Sequence, residues 1–213
     1  MTDIINPAIE AYLARRTLHR DPVLRQMEAQ AEREDFPIVG PQVGQLLMLL
    51  ARAIGAKRIF EMGSGFGYSA MWFAKAMPRD GRVILTDTSS ARSQQARDYF
   101  AKAKQARKAE FLVGDAIELI KHVKGTFDII FLDADKARYP LAFSTALPRL
   151  RHGGLFIADN VLWFGQVVLP HPDADTRGIL EFTRLIFSTP GIASSVLALR
   201  DGVSISLKEH GNA

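Results

Sequence analysis

Five apolar runs, three of them closing on an aspartate, constrain this chain more than any other feature. They are RIFEM (58–62), RVILTD (82–87), AEFLVG (109–114), DIIFLD (128–133) and GGLFIAD (153–159). Short apolar runs bounded by polar residues read as strands buried on both faces, as in parallel sheets. Helical patterns fall between and after them, near 68–77, 90–106, 115–122, 138–150 and 174–188. That alternation predicts parallel strands joined by right-handed helical crossovers. The chain then reads SSVLAL (194–199), Arg200-Asp201-Gly202 and VSISLK (203–208). Asp-Gly between two strand-like runs predicts an antiparallel hairpin. Upstream, helices are expected over 4–17 and 22–34, with Asp21 as cap and Pro22 at the first helical position. FPIVGP (36–41) interrupts the pattern, and a third helix is expected from Gln42 to Ile54. The expected architecture is α/β, a mostly parallel Rossmann-like sheet with an antiparallel C-terminal hairpin and helices on both faces.

Composition narrows the function classes. The 213 residues are 47% hydrophobic and 23% charged, which suits one domain spanning 1–213. No linker or repeat divides it, and residues 1–54 are expected to cover the ligand site. Cysteine is absent, which excludes disulfides, zinc-thiolate sites and thiol nucleophiles and fits a reducing compartment. The first residues, MTDIINPAIEAYLARR, lack a secretory apolar core, and no apolar stretch reaches membrane-spanning length. A cytoplasmic protein without membrane partners is expected. A net charge of +4 mildly favours anionic partners but is too small to establish nucleic-acid binding.

Two strings follow the last two parallel runs: Asp133-Ala-Asp-Lys136 and Asp159-Asn160. In open α/β sheets, ligands bind outside the carboxyl ends of the strands. Asp133, Asp159 and Asn160 offer two carboxylates and an amide oxygen. These are hard ligands suited to Mg²⁺, Mn²⁺ or Ca²⁺. Lys136 stands three residues past the first carboxylate, available as a base. Alone, Lys136 would read as a surface lysine opening a helix, and Asp159-Asn160 as a cap and turn. Together they outline a metal-assisted deprotonation site.

The first strand runs into Glu61-Met-Gly63-Ser-Gly65-Phe-Gly67-Tyr-Ser69. Glycines let the backbone bend sharply and a ligand approach closely. Asp87 ends the second strand, placed to bind ribose hydroxyls. A nucleoside-containing cofactor follows from the pair. In the dinucleotide fingerprint the third glycine comes one position later than Gly67, where Tyr68 stands. No P-loop lysine follows. Glu61, Asp87 and Asp115 form an acidic ring at strand ends. That ring suits S-adenosylmethionine, which has hydroxyls, an adenine amine and a cationic amino acid but no phosphate. Asp87 and Asp115 also read individually as helix N-caps.

The sequence resembles the cation-dependent O-methyltransferases that include caffeoyl-CoA and catechol O-methyltransferases, on their bacterial branch. The likeness covers nearly the whole chain. It is carried by EMGSGFGYS (61–69), Asp87, VGDA (113–116), FLDADKARY (131–139), ADNVLWFG (158–165), DADT (173–176) and RDG (200–202). The resemblance implies a class I methyltransferase sheet. It implies Asp133, Asp159 and Asn160 as ligands of a divalent cation and Lys136 as the base that takes the acceptor hydroxyl's proton. Val39, Gly63, Gly65, Gly67, Ser69, Asp87, Asp115, Ala116 and Asp133 would line the S-adenosylmethionine site. Glu61 would hold its methionine end or the neighbouring loop, and Trp163 would stand beside the acceptor. Relatives are commonly homodimers, and apolar Ile4, Ile5, Ile9, Leu13 and Leu24 fit a covered surface.

The implied chemistry is consistent with these residue types. Phenolic pKa values lie near ~10, so a free phenol is largely protonated at neutral pH. Chelation of two adjacent oxygens by a cation acidifies the hydroxyl and fixes the line of attack. Ala134 and Asp135 replace the bulky aromatics of the catechol enzymes. After Asp87 the chain reads TSSARSQQA, more polar than many relatives where adenine packs, and the loop after Gly165 is short. A small-molecule hydroxyl acceptor is expected, catechol-like or caffeoyl-type. The main rival is a tRNA 5-hydroxyuridine, but residues 166–176 carry no basic cluster for phosphates. A nicotinamide oxidoreductase conflicts with the early glycine, and a non-catalytic S-adenosylmethionine-binding module with the intact DADK and DN strings. The five histidines show no metal spacing. Ser64 and Ser69 have no His/Asp partner. Met71, Trp72 and Phe73 read as helix packing, and Lys102, Lys104, Arg107 and Lys108 as a solvated basic face.

Overall fold

A computed structural model describes residues 6–17 and 21–210. Three helices come first: α1 (Pro7–Arg16), α2 (Pro22–Glu34) and α3 (Gly40–Ala53). Strands and helices then alternate: β1 (Arg58–Met62), α4 (Tyr68–Ala76), β2 (Arg82–Asp87), α5 (Ser90–Lys102), β3 (Ala109–Val113), α6 (Ala116–His122), β4 (Phe127–Leu132), α7 (Tyr139–Ala146) and β5 (Leu150–Asp159). The chain closes with α8 (Ala174–Ser188), β6 (Ile192–Leu197) and β7 (Val203–Lys208).

The strands form one sheet in the order β3-β2-β1-β4-β5-β7-β6. β1 to β5 are parallel, and β7 runs antiparallel between β5 and β6. Successive strand side chains point to opposite faces, and here both faces are covered. Ile59, Phe131 and Ile157 meet Val43, Leu47, Phe73 and Phe100 on one side. Phe60, Ile130 and Phe156 meet Phe143 and Phe182 on the other. Phe143 stands edge-on to both of its aromatic neighbours there, at 5.1 and 5.7 Å. The strand order reverses between β1 and β4. That switch point opens a crevice beyond Met62 and Leu132 where ligands bind in such sheets.

Most element boundaries agree with the sequence reading. Asp21 Oδ1 accepts from the Val23 and Leu24 amides, both at 3.0 Å, and Pro22 opens α2. The differences have local causes. α5 stops at Lys102 because Lys104 adopts a left-handed turn, with φ of 55°. α7 stops at Ala146, ahead of a 3₁₀ turn containing Pro148. β5 starts early, with Leu150 paired to Phe127 across a register shift.

Leu24 is a core residue rather than part of a docking surface, whereas Ile9 and Leu13 on α1 are exposed. Ile4 and Ile5, and with them the expected start of that helix, lie outside the described residues, as does His19. Lys108 is not merely solvated: its Nζ donates to the carbonyls of Ala74 and Met77, both at 2.8 Å, closing the end of α4. Among the described residues no helix is long and apolar enough to cross a membrane.

Candidate active site

A cavity of about 660 Å³ lies at the switch point. Its wall brings together Val39, Gly63, Gly65, Ser69, Asp87, Asp115 and Ala116. It also carries Asp133, Lys136, Asp159, Asn160 and Trp163. Phe36 to Val39 supply the contribution from the segment before α3; α1 and α2 do not reach the wall. Glu61 and Gly67 stand behind it.

The glycine turn is shaped by β2. The Gly63 and Ser64 amides donate to the Thr86 carbonyl at 3.2 and 2.9 Å. A Cβ on Gly63, at φ of 90°, would fall 2.1 Å from the Asp133 carbonyl oxygen, so the turn and the end of β4 approach as only glycine allows. Asp87 Oδ2 accepts from the Gly65 amide at 2.9 Å and Oδ1 from Ser89 at 2.7 Å. Asp87 therefore ties the turn to the exit of β2, and Ser89 caps α5 instead. Gly67 serves both turn and packing: its φ of 87° leads the turn into α4, and a Cβ there would press on Leu85, Ala96 and Phe100.

Glu61 is completely buried. Ser69 Oγ donates to its Oε1, and its Oε2 has no partner. Burial pushes its carboxyl up to about 7, and the nearby charges of Asp133 and Asp87 add to that. An orphaned acid oxygen behind a glycine turn suits a ligand that carries a cation. Asp115 has two duties. Its Oδ1 caps α6 through the Ile117 amide at 2.9 Å, and its Oδ2 pairs with Arg138 Nη2 at 2.7 Å. Arg138 holds the Asp115 carboxyl below the usual range.

Beyond the end of β4, Lys136 is buried although it is charged in type. Its Nζ donates to Asp133 Oδ1 at 2.7 Å and to Tyr139 Oη at 2.9 Å. Tyr139 is fully buried, and its hydroxyl donates to the Asp159 carbonyl at 3.0 Å. The turn carrying Lys136 is held by Asp175 of α8, whose Oδ1 accepts from the Ala137 amide at 3.2 Å. Asp159 is buried beside Asp133. Burial first, then the Asp133 charge, raises its carboxyl above the ordinary range. Among the described residues no three His, Cys, Asp or Glu side chains form a metal-holding group. The oxygen donors at hand are two carboxylates on adjacent strand ends and the Asn160 amide.

Beyond Asp159 the backbone is unusual. Asn160, Trp163 and Phe164 all adopt left-handed conformations, with φ of 58°, 46° and 52°. Such conformations carry strain and persist where the surroundings fix them. Here the terminal hairpin fixes them. The Phe164 amide donates to Asp201 Oδ1, and the Leu162 amide to the Asp201 carbonyl at 2.9 Å. Arg200 Nη1 donates to the Ile38 carbonyl at 3.1 Å, so the same turn also braces the segment before α3. The Trp163 ring centroid lies 5.8 Å from Lys136 Nζ, and its Nε1 is buried without a partner.

The sequence reading assigned no role to Tyr139, Arg138 or Asp175, and gave Asp201 only a place in the hairpin turn. Tyr139 stood three residues past Lys136, a helical neighbour spacing that could have found it. The others meet the site only through the fold.

The O-methyltransferase family profile matches residues 15–209. This chain belongs to the O-methyltransferase family. The methyltransferase is 29% identical over 194 residues to the catechol O-methyltransferase of Mycobacterium tuberculosis, covering 90% of this chain and 88% of that one. It is 32% identical to caffeoyl-CoA O-methyltransferase 1 of Arabidopsis thaliana, over 76% of this chain and 68% of that one. Among solved structures, the methyltransferase superposes on the O-methyltransferase TomG of Streptomyces achromogenes in complex with SAM. The TM-score is 0.86 at 29% identity, covering 95% of this chain and 96% of that one. A Bacillus cereus O-methyltransferase in complex with SAH gives 0.87 at 28% identity, over 95% and 97%.

Proposed function

We propose that this O-methyltransferase moves the methyl group of S-adenosylmethionine to a hydroxyl of a catechol-like or caffeoyl-type small molecule, with a divalent cation at the acceptor. The observation that carries the reading is the placement of Lys136 Nζ, 2.7 Å from Asp133 Oδ1, in the same cavity wall as Asp159 and Asn160. The relatives named for catechol and caffeoyl-CoA support the acceptor class.

The glycine turn, Asp87 and Asp115 would hold the nucleoside end, and the charge of the buried Glu61, one layer behind the wall, would favour the amino-acid end's cation. Asp133, Asp159 and Asn160 would hold the cation, hard oxygen donors in keeping with Mg²⁺. Bound there, S-adenosylmethionine supplies an electrophilic methyl group and the cation polarises the acceptor oxygens. Lys136 takes the acceptor's proton. Trp163 and the segment Phe36 to Val39 wall the cavity and limit water. Orientation of acceptor and methyl group in one cavity is itself a large share of catalysis.

The test is a transfer assay of the purified protein with catechol, caffeoyl-CoA and 5-hydroxyuridine tRNA, each with Mg²⁺ and with chelator. Mg²⁺-dependent methylation of the small acceptors supports the reading. Turnover undiminished in chelator, with metal shown absent, refutes the cation. Methylation of the tRNA alone replaces the acceptor.

A further inference from the structure

The buried hydroxyl of Tyr139 is a group that neither the family resemblance nor the comparisons give a role. We propose that Tyr139 is a positioning residue that aims the Lys136 amine at the acceptor. The inference rests on the reading of Lys136 as the base.

The geometry is a short relay. The Tyr139 hydroxyl turns its hydrogen to the strand ends, donating to the Asp159 carbonyl at 3.0 Å with the Leu132 carbonyl at 3.5 Å. Its oxygen lone pairs are left to accept, and Lys136 Nζ lies 2.9 Å away. Asp133 Oδ1 accepts a second hydrogen from the same nitrogen at 2.7 Å. With two hydrogens directed at Tyr139 and Asp133, the head group cannot rotate and its remaining direction is fixed, and Lys136 sits in the cavity wall. Lysine is otherwise a flexible chain whose head rotates freely. Tyr139 is rigid in turn, its ring edge-on to Phe182 at 5.5 Å. A fully buried tyrosine thus converts a mobile base into a directed one.

The test is a double-mutant cycle of Tyr139→Phe and Lys136→Met in the full chain. Phenylalanine keeps the ring packing, and one lost hydrogen bond is small against the stability of a domain. Circular dichroism confirms the fold, and calorimetry reads cofactor affinity. Misplacing a reacting group lowers rates by as much as ~10²-fold, so Tyr139→Phe should cut kcat by about ten- to a hundredfold. Acceptor KM and S-adenosylmethionine affinity should hold. In the Lys136→Met background the same change should cost nothing further, since the group it aims is gone. A full loss from Lys136→Met with none from Tyr139→Phe overturns the positioning role and leaves the proposed function standing. An equal loss from Tyr139→Phe in both backgrounds also overturns it, because the tyrosine then acts independently of the lysine. Full activity in Lys136→Met defeats the base itself, and the inference with it.

Discussion

A Cβ placed on Gly178 would lie 2.3 Å from the Lys136 carbonyl oxygen. Helix α8 and the turn bearing Lys136 are in backbone contact, and only hydrogen fits between them. Gly178→Ala would improve helix propensity by about 1 kcal/mol. It would also overpack a buried junction, typically a loss of about 1–3 kcal/mol. The expected result is a lower melting temperature and a lower kcat, with S-adenosylmethionine affinity held. Wild-type kcat in the alanine variant would show that the junction does not set the position of Lys136.

Lys136→Met should cut methyl transfer by about 10²–10⁴-fold, the usual range for a general base. Arginine should not rescue it, because guanidinium stays protonated. The loss should be smaller for nitrocatechol, whose hydroxyl is already acidic. Rate ratios for the two acceptors, measured in both proteins, decide this; equal losses would mean that Lys136 orients the acceptor without taking its proton.

Asp87→Ala should weaken S-adenosylmethionine. A hydrogen bond to a charged group contributes about 1.5–3 kcal/mol, roughly a ten- to hundredfold change in Kd. The same carboxylate holds the Gly65 and Ser89 amides, so the melting temperature should fall as well. Calorimetry separates the roles. Unchanged affinity in a destabilised protein would confine Asp87 to bracing the turn.

Glu61 predicts a pH effect. Its carboxyl is raised from an ordinary 4.5 to about 7. Between those values the folded chain binds a proton that the unfolded chain has released. Stability from this group is therefore present below pH 4.5 and is lost as pH rises to about 7. The whole effect is at most on the order of 3 kcal/mol. Glu61→Gln removes the titration, so its melting temperature should gain on the wild type between about pH 5 and 8. A constant difference across that range would mean that the buried acid does not titrate there. The glutamine variant should also bind S-adenosylmethionine more weakly, because it cannot face a cation with charge.

The strands were legible because burial on both faces writes itself as unbroken apolar runs. Asp87, Asp133 and Asp159 were legible because polar residues at the ends of such runs fall on one rim of the sheet. Gly63 and Gly65 were legible as a sharp turn. Gly67, at φ of 87°, belongs to the same turn, but its hydrogen also faces Leu85 and Phe100, a contact that depends on where α5 packs. Glu61 read as a residue that holds the cofactor's methionine end or the neighbouring loop; it sits one layer behind the wall, bonded to Ser69. The pairing of Arg138 with Asp115 spans 23 residues, and the contact of Asp201 with Phe164 spans 37. Neither distance leaves a local pattern. Lys108 looked like part of a basic face because a sequence does not show which carbonyls a helix end leaves open.

The hairpin turn at Arg200 and Asp201 ties two separate stretches of the cavity wall to one point. The glycine turn, Asp87 and Asp115 are held without it, through β2 and α6. The loop with Asn160 and Trp163 has its left-handed backbone anchored by Asp201, and the segment at Ile38 is braced by Arg200. A disturbance of this one turn therefore loosens both stretches of wall together and leaves the contacts of the glycine turn in place.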